Sequence, residues 1–187
     1  MSLFQNILAK ALEVLGEMKI ESLLTGGIAV NYYGFSRTTF DIDFMMVVPD
    51  ADGLVWAMRK AGFSSYSVQG NVMFFRNPED PIRVDFIRID TGTLAKLMQS
   101  AVPVNLHGCQ VMIPSLNDLL AMKFHSFNQS PLRGKDLEDI VWLSIFNEVD
   151  MDAVLRPLAL KYASDEIYRQ VCELIQTQKN NLLSDHV

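Results

Sequence analysis

A glycine pair and a carboxylate pair stand out as groups that can do chemistry. Gly26 and Gly27 close the apolar run Leu23-Leu24-Thr25 and open the helix-forming run Ile28-Ala29-Val30; Asp41 and Asp43 then stand one residue apart in a second apolar run, Asp41-Ile42-Asp43-Phe44-Met45-Met46-Val47-Val48. Glycine lets a backbone approach a ligand closely, and the N–H groups at a loop-to-helix junction attract phosphate oxygens. On a strand, residues two apart point to one face, so Asp41 and Asp43 project together. Neighbouring carboxylates repel unless a cation joins them, and hard oxygen donors suit Mg²⁺ or Mn²⁺. A glycine pair alone is more often a turn, and a lone Asp-x-Asp more often a loop or cap. Asp inside an apolar strand is rarer, because strands deplete Asp and unpaired buried charge is costly. In this order, the two pairs imply a phosphate cradle followed by a metal site, and phosphoryl-transfer chemistry on a nucleotide.

Further residues extend the pattern. Arg37-Thr38-Thr39-Phe40-Asp41-Ile42-Asp43 follows the glycine pair, Val84-Asp85-Phe86-Ile87 carries a third carboxylate between apolar residues, and Lys123 precedes Arg133-Gly134-Lys135-Asp136-Leu137-Glu138-Asp139. With these the chain resembles the nucleotidyltransferase superfamily of DNA polymerase β, and more narrowly the small bacterial and archaeal proteins grouped with the AbiEii toxins. The resemblance spans residues 22 to 143. It departs at Ile28, where many members carry Ser after the glycine pair, so a hydroxyl contact to phosphate is missing.

The resemblance implies that Asp41, Asp43 and Asp85 are catalytic and bind metal, and that Gly26, Gly27, Arg37, Lys123 and Asp136 contact the nucleotide. It implies transfer of a nucleoside monophosphate from an NTP to a hydroxyl acceptor (RNA, protein or small molecule), with release of pyrophosphate. Two rival readings stand beside it: an NTP-binding regulatory domain of weak or lost activity, and a component of a toxin–antitoxin pair with a cognate antitoxin as partner. A homodimer is a further open alternative.

The residues themselves leave several roles open. Arg37 binds triphosphate or braces Asp41, and Arg83 and Arg88 flank Asp85 and neutralise it. Leu116, Leu120 and Phe127 share a helical stripe with Lys123 in its middle. That lysine either snorkels outward or meets an anion in a cleft; if it faces the nucleotide, Lys123→Met preserves or raises stability and reduces triphosphate affinity. His125 lies on the opposite, solvated face. Asp136 borders the stripe of Leu137, Ile140 and Val141, while Asp139 points further away. Either Asp136 is a late acidic site residue, or both are first-turn acids favoured by the helix dipole. Tyr32 and Tyr33 read as core and rim, and Phe74, Phe75, Phe124 and Phe127 as core.

Composition narrows the class. The 187 residues make one domain, or one with a helical appendage, and 49% hydrophobic residues supply a full core. A net charge of −6 argues against a broad nucleic-acid footprint. Cys109 and Cys172 lie far apart, without metal-like spacing, and read as reduced thiols of a cytoplasmic protein. No apolar run reaches the ~18 residues of a membrane span, and the start Met1-Ser2-Leu3-Phe4 lacks the basic region of a signal peptide.

The elements that must hold these residues follow from periodicity and turn signals. Helical spacing covers residues 3 to 18, with Ile7, Leu8, Ala11, Leu12 and Leu15 on one face. A strand over 22–25 leads into a helix over 28–33 that stops at Gly34, and a buried strand covers 41–48. Pro49 to Gly53 reads as a turn, and 53–61 as a helix stopped by Gly62. Gly70-Asn71 joins strands 65–69 and 72–76. A strand over 82–89, a helix over 93–99 and a hairpin of 102–106 with 110–113 complete residues 1–113. Everything after Pro114 reads helical, opened by Ser115-Leu116-Asn117-Asp118. The fold class is α+β: a mixed sheet with flanking helices over 1–113, and a helical segment over 114–187 that completes the site.

Overall fold

The computed structural model describes residues 2–130 and 134–184. Arg133 of the sequence motif lies outside them. The chain divides into two compact units: one of Met1–Ala29 with Arg37–Ser115, the other of Val30–Ser36 with Leu116–Val187.

The first unit carries the sheet. Its elements are α1 (Leu3–Glu17), β1 (Ser22–Thr25), the start of α2 (Gly26–Tyr32), β2 (Asp41–Met46), α3 (Ala51–Lys60), β3 (Ser65–Gln69), β4 (Val72–Arg76), β5 (Arg83–Arg88), α4 (Thr91–Ser100), β6 (Val102–Leu106) and β7 (Cys109–Ile113). Five strands run in the order β1-β2-β5-β4-β3, and β6 and β7 form a separate hairpin. β2 and β5 pair in parallel; the other pairs of this sheet are antiparallel.

One sheet face is core. Ile42, Phe44 and Met46 alternate with the less buried Asp41, Asp43 and Met45, so β2 has one apolar face and one face that carries the two carboxylates. Phe44, Phe75 and Phe86 are fully buried, with ring centroids 5.9 Å apart for Phe44–Phe86 and 5.4 Å for Phe75–Phe86. Each such ring contributes about 1.5–3 kcal/mol by leaving water. Leu54 and Met58 of α3 are also buried. In α1 the buried set is Ile7, Leu8, Ala11, Val14 and Leu15. Val14 takes the place expected of Leu12, which is only half-buried. Ser2 opens α1 with a capping box, its Oγ accepting from Gln5 N at 3.2 Å while Gln5 Oε1 accepts from Ser2 N at 2.7 Å. The expected turn at Pro49–Gly53 is instead a helix start. The Asp50 carboxylate accepts from Gly53 N at 2.9 Å, so α3 begins at Ala51.

The second unit is helical: α5 (Leu116–Gln129), α6 (Gly134–Phe146), a π-helical turn at Met151–Leu155, α7 (Arg156–Tyr162) and α8 (Asp165–Ser184). Its core includes Leu120, Phe124, Phe127, Ile140, Leu143, Leu155 and Val171. Residues 30–36 join it through Asn147, whose Nδ2 donates to Tyr33 O and Leu143 O at 2.9 Å each, and through Phe35, which stacks on Trp142 at 5.8 Å. Tyr32, expected in the core, is 46% exposed. Cys109 and Cys172 are free, half-buried thiols. Among the described residues no helix is long and apolar enough to cross a membrane.

Candidate active site

Strand register builds the first cluster. Across β1, β2, β5, β4 and β3 one rung is Thr25, Asp43, Asp85, Phe74 and Ser67; the rung beside it, over β2, β5, β4 and β3, is Asp41, Arg83, Arg76 and Ser65. Cross-strand partners share a face. Asp41, Asp43 and Asp85 therefore lie on one side of the sheet, opposite the phenylalanine core. The parallel pairing that sets Asp85 beside Asp43 joins strands far apart in sequence.

The glycines border this face. Gly26 has φ +64°, and a Cβ there would overlap the Asp43 carboxylate; a Cβ at Gly27 would come within 2.8 Å of Thr39 Cβ and 3.2 Å of Arg37 Nη1. Both positions therefore need glycine for space, and Gly26 also for its left-handed backbone. The structure thus brings Gly26, Gly27, Arg37, Thr39 and Asp43 together. Thr39 Oγ1 accepts from Asp41 N at 3.4 Å, bracing the approach to β2.

Arg83 occupies the centre. Its Nε and Nη2 donate to Asp85 Oδ1 and Oδ2 at 2.6 and 2.7 Å, Nη2 lies 3.2 Å from Asp41 Oδ1, and the guanidinium stacks 4.7 Å over Phe74. Arg88, expected to share in neutralising Asp85, donates instead to Gly70 O at 2.8 Å. Burial raises the Asp85 carboxyl above its ordinary value; the hydrogen bonds and charge of Arg83 oppose this, and the Asp41 charge reinforces it. The same fork holds the Arg83 guanidinium above its ordinary value. The expected three-carboxylate metal set is not gathered: among the described residues no group of three or more His, Cys, Asp and Glu is placed to hold a metal ion. The reason is electrostatic, since a desolvated carboxylate takes the nearest cation, and Arg83 is two residues from Asp85 on the same face.

The second cluster lies in the helical unit. Lys123 Nζ is 2.9 Å from Asp136 Oδ1 and 2.6 Å from Asp139 Oδ2, and Ser126 Oγ donates to Asp136 Oδ2 at 2.7 Å. Lys123 thus does not snorkel outward; the anions it meets are side chains of α6. Asp139, expected to point further away, is the most buried member at 0% exposure. The helix turn from 136 to 139 carries both carboxylates to one ammonium. Ser126 was not singled out in the sequence, although its position one turn after Lys123 places it on the same face. His125 is exposed, as expected.

A mixed sheet with three carboxylates on one face, bordered by a glycine-opened helix, defines a nucleotidyltransferase-type protein. The chain belongs to the AbiEii family: residues 11–183 match the family described as "Nucleotidyl transferase AbiEii toxin, Type IV TA system". Its fold is similar to that of ANT(2″)-Ia in complex with adenylyl-2″-tobramycin, at 15% identity and TM-score 0.63, covering 85% of this chain and 97% of that one. It is also similar to the lincosamide antibiotic adenylyltransferase LnuA bound to lincomycin, at 16% identity and TM-score 0.54, covering 76% and 96%. An antigenic nucleotidyltransferase-like protein from Paracoccidioides brasiliensis matches at 18% identity and TM-score 0.51, covering 98% and 93%. These likenesses show the fold. No curated protein matches the chain.

Proposed function

We propose that the chain transfers a nucleoside monophosphate from an NTP to a hydroxyl acceptor, at the sheet face of Asp41, Asp43 and Asp85. One observation carries this reading: the parallel register of Asp43 with Asp85, which sets a third carboxylate beside the Asp-x-Asp pair. The donors are all hard carboxylate oxygens, which fit Mg²⁺ or Mn²⁺. Asp41 and Asp43 would hold the ion, and Asp85 would join once Arg83 releases it. A bound divalent ion would neutralise charge on the phosphates and on the departing pyrophosphate.

The protein residues would do the rest. Gly26 and Gly27 would let the triphosphate approach the backbone, with Arg37 alongside. The acceptor hydroxyl oxygen would bond to the α-phosphorus, and the bond from that phosphorus to the oxygen bridging the β-phosphate would break. Pyrophosphate would leave with the electron pair. Asp85 suits the acceptor's proton, because burial raises its proton affinity. Positioning and charge supply most of the rate. The toxin role is part of the proposal through the family alone. Growth arrest on expression, relieved by a cognate antitoxin, would test it.

Ile28 favours a second reading, NTP binding without turnover. It is 7% exposed, so the position that carries a serine hydroxyl in many relatives is here an apolar core group.

Calorimetry with Mn²⁺ and a nonhydrolysable NTP tests the binding site that both readings share. Binding is expected in the wild type. Asp43→Asn should weaken it at least tenfold, about 1.4 kcal/mol. Equal affinity in that variant removes the site.

A further inference from the structure

The carboxylate face does not end at Arg83. Beyond β5 it continues onto β4 and β3 as an open groove of about 560 Å³, lined by Ser65, Ser67, Gln69, Phe74, Arg76 and Arg83 among others. The register places Arg76 directly opposite Arg83, and Ser65 beyond Arg76 in the same rung. Two guanidinium-bearing residues facing each other across a strand pair repel unless an anion lies between them or beside them. Arg83 has Asp41 across from it on β2 and Asp85 two residues along its own strand. Among the described residues, none that lines the groove is a carboxylate. The polarity of this face therefore runs from acidic at β2, through arginine at β5 and β4, to hydroxyl at β3.

We propose that this groove is the acceptor site and that it takes a phosphate ester carrying a free hydroxyl. This rests on the nucleotidyl-transfer reading of the neighbouring carboxylates. If those carboxylates take up a cation, Arg83 gives up Asp41 and Asp85, and its fork becomes available on the groove side beside Arg76. A planar fork presents paired donors to phosphate oxygens. Ser65 and Ser67 supply hydroxyls for a sugar, and Phe74 supplies a flat apolar wall. A cationic acceptor would instead meet two arginines and no carboxylate, so the groove selects against the aminoglycoside class.

The test is calorimetry on the full-length protein, with and without Mn²⁺ and a nonhydrolysable NTP. Four probes are titrated: ribose 5-phosphate, a short oligoribonucleotide, ribose and tobramycin. The variant is Arg76→Gln, an exposed change outside the carboxylate cluster, whose fold is checked by thermal melting. At least one phosphate-bearing probe should bind, at least tenfold more tightly than ribose. That affinity should fall at least tenfold in Arg76→Gln, while NTP-analogue affinity changes less than twofold. Preference for ribose 5-phosphate would assign a small phosphorylated acceptor, and tenfold preference for the oligonucleotide a polynucleotide. Unchanged affinity in Arg76→Gln, no binding of either phosphate probe, or tobramycin binding as tightly as they do would overturn the proposal. Loss of NTP-analogue binding in the wild type, with Arg76-dependent phosphate binding intact, would remove the transferase reading and leave the groove as a phosphate-ester site.

Discussion

In the first unit a guanidinium sits between Asp41 and Asp85 on a half-open sheet face; in the second an ammonium sits between Asp136 and Asp139 in a helical core. The chemistry is alike, one cation to two carboxylates, and the burial is not. The side chains of Arg83, Asp41 and Asp85 are 40%, 43% and 6% exposed, against 11%, 11% and 0% for Lys123, Asp136 and Asp139, so the openness of the first cluster lies at Arg83 and Asp41. Water can replace a partner in the first cluster and cannot easily do so in the second. On the proposed function, the open cluster would exchange Arg83 for an arriving cation. The closed one ties α5 to α6, and any ligand role for Lys123 must compete with two short ion pairs.

Breaking the buried cluster should give the largest effect. Lys123→Met leaves two carboxylates without their cation and should destabilise the protein by about 3–5 kcal/mol. This reverses the expectation, drawn from the apolar stripe, that the change would preserve stability. A denaturant midpoint equal to wild type would show that the two clusters do not differ as described. Arg83→Gln should cost less, about 1–2 kcal/mol, between the limits for exposed and buried pairs. It should also raise Mn²⁺ affinity in the absence of nucleotide, because the resident cation is gone. Weaker Mn²⁺ binding by that variant would mean that Arg83 holds the carboxylates in place for the ion and does not compete with it.

The smallest effect sharpens the comparison within the open cluster. Asp85 titrates above its ordinary value in the folded chain, chiefly through burial. Folding therefore favours its protonated form. That contribution is complete below the ordinary value of 3.8 and is lost as pH rises through the raised one. Asp85→Asn does not titrate, so its stability relative to wild type should improve as pH rises across that window. Urea melts of both proteins from acid to neutral pH would show it. A constant difference would mean that the Arg83 fork fully offsets burial.

Local signals were legible in the sequence where a turn or cap dictates them. Gly70-Asn71 fixed the hairpin of β3 and β4, with Gly70 at φ +59°, and the glycine and carboxylate pairs marked β1, α2 and β2. Arg83 was visible only as one of two arginines flanking Asp85. Its bond to Asp41 depends on β2 pairing in parallel with β5, and periodicity carries no strand order. Asp139 was misplaced because its partner Lys123 stands on another helix. The π-helical turn was missed for a similar reason: Asp150 accepts from Asp152 N and Ala153 N at 2.9 and 2.7 Å, and the i→i+5 bond from Leu155 N to Asp150 O spans 3.0 Å. Nothing in apolar spacing separates that turn from an α-helix.

The central claim is transfer of a nucleoside monophosphate at the open face. Its most direct test pairs α-labelled and γ-labelled NTP in separate reactions with Mn²⁺ and cell extract as acceptor source, for wild type and Asp43→Asn. The α label should appear on a macromolecule or small acceptor, the γ label should leave only as pyrophosphate, and Asp43→Asn should do neither. A γ label found on the acceptor, or equal α-label transfer by Asp43→Asn, would contradict it.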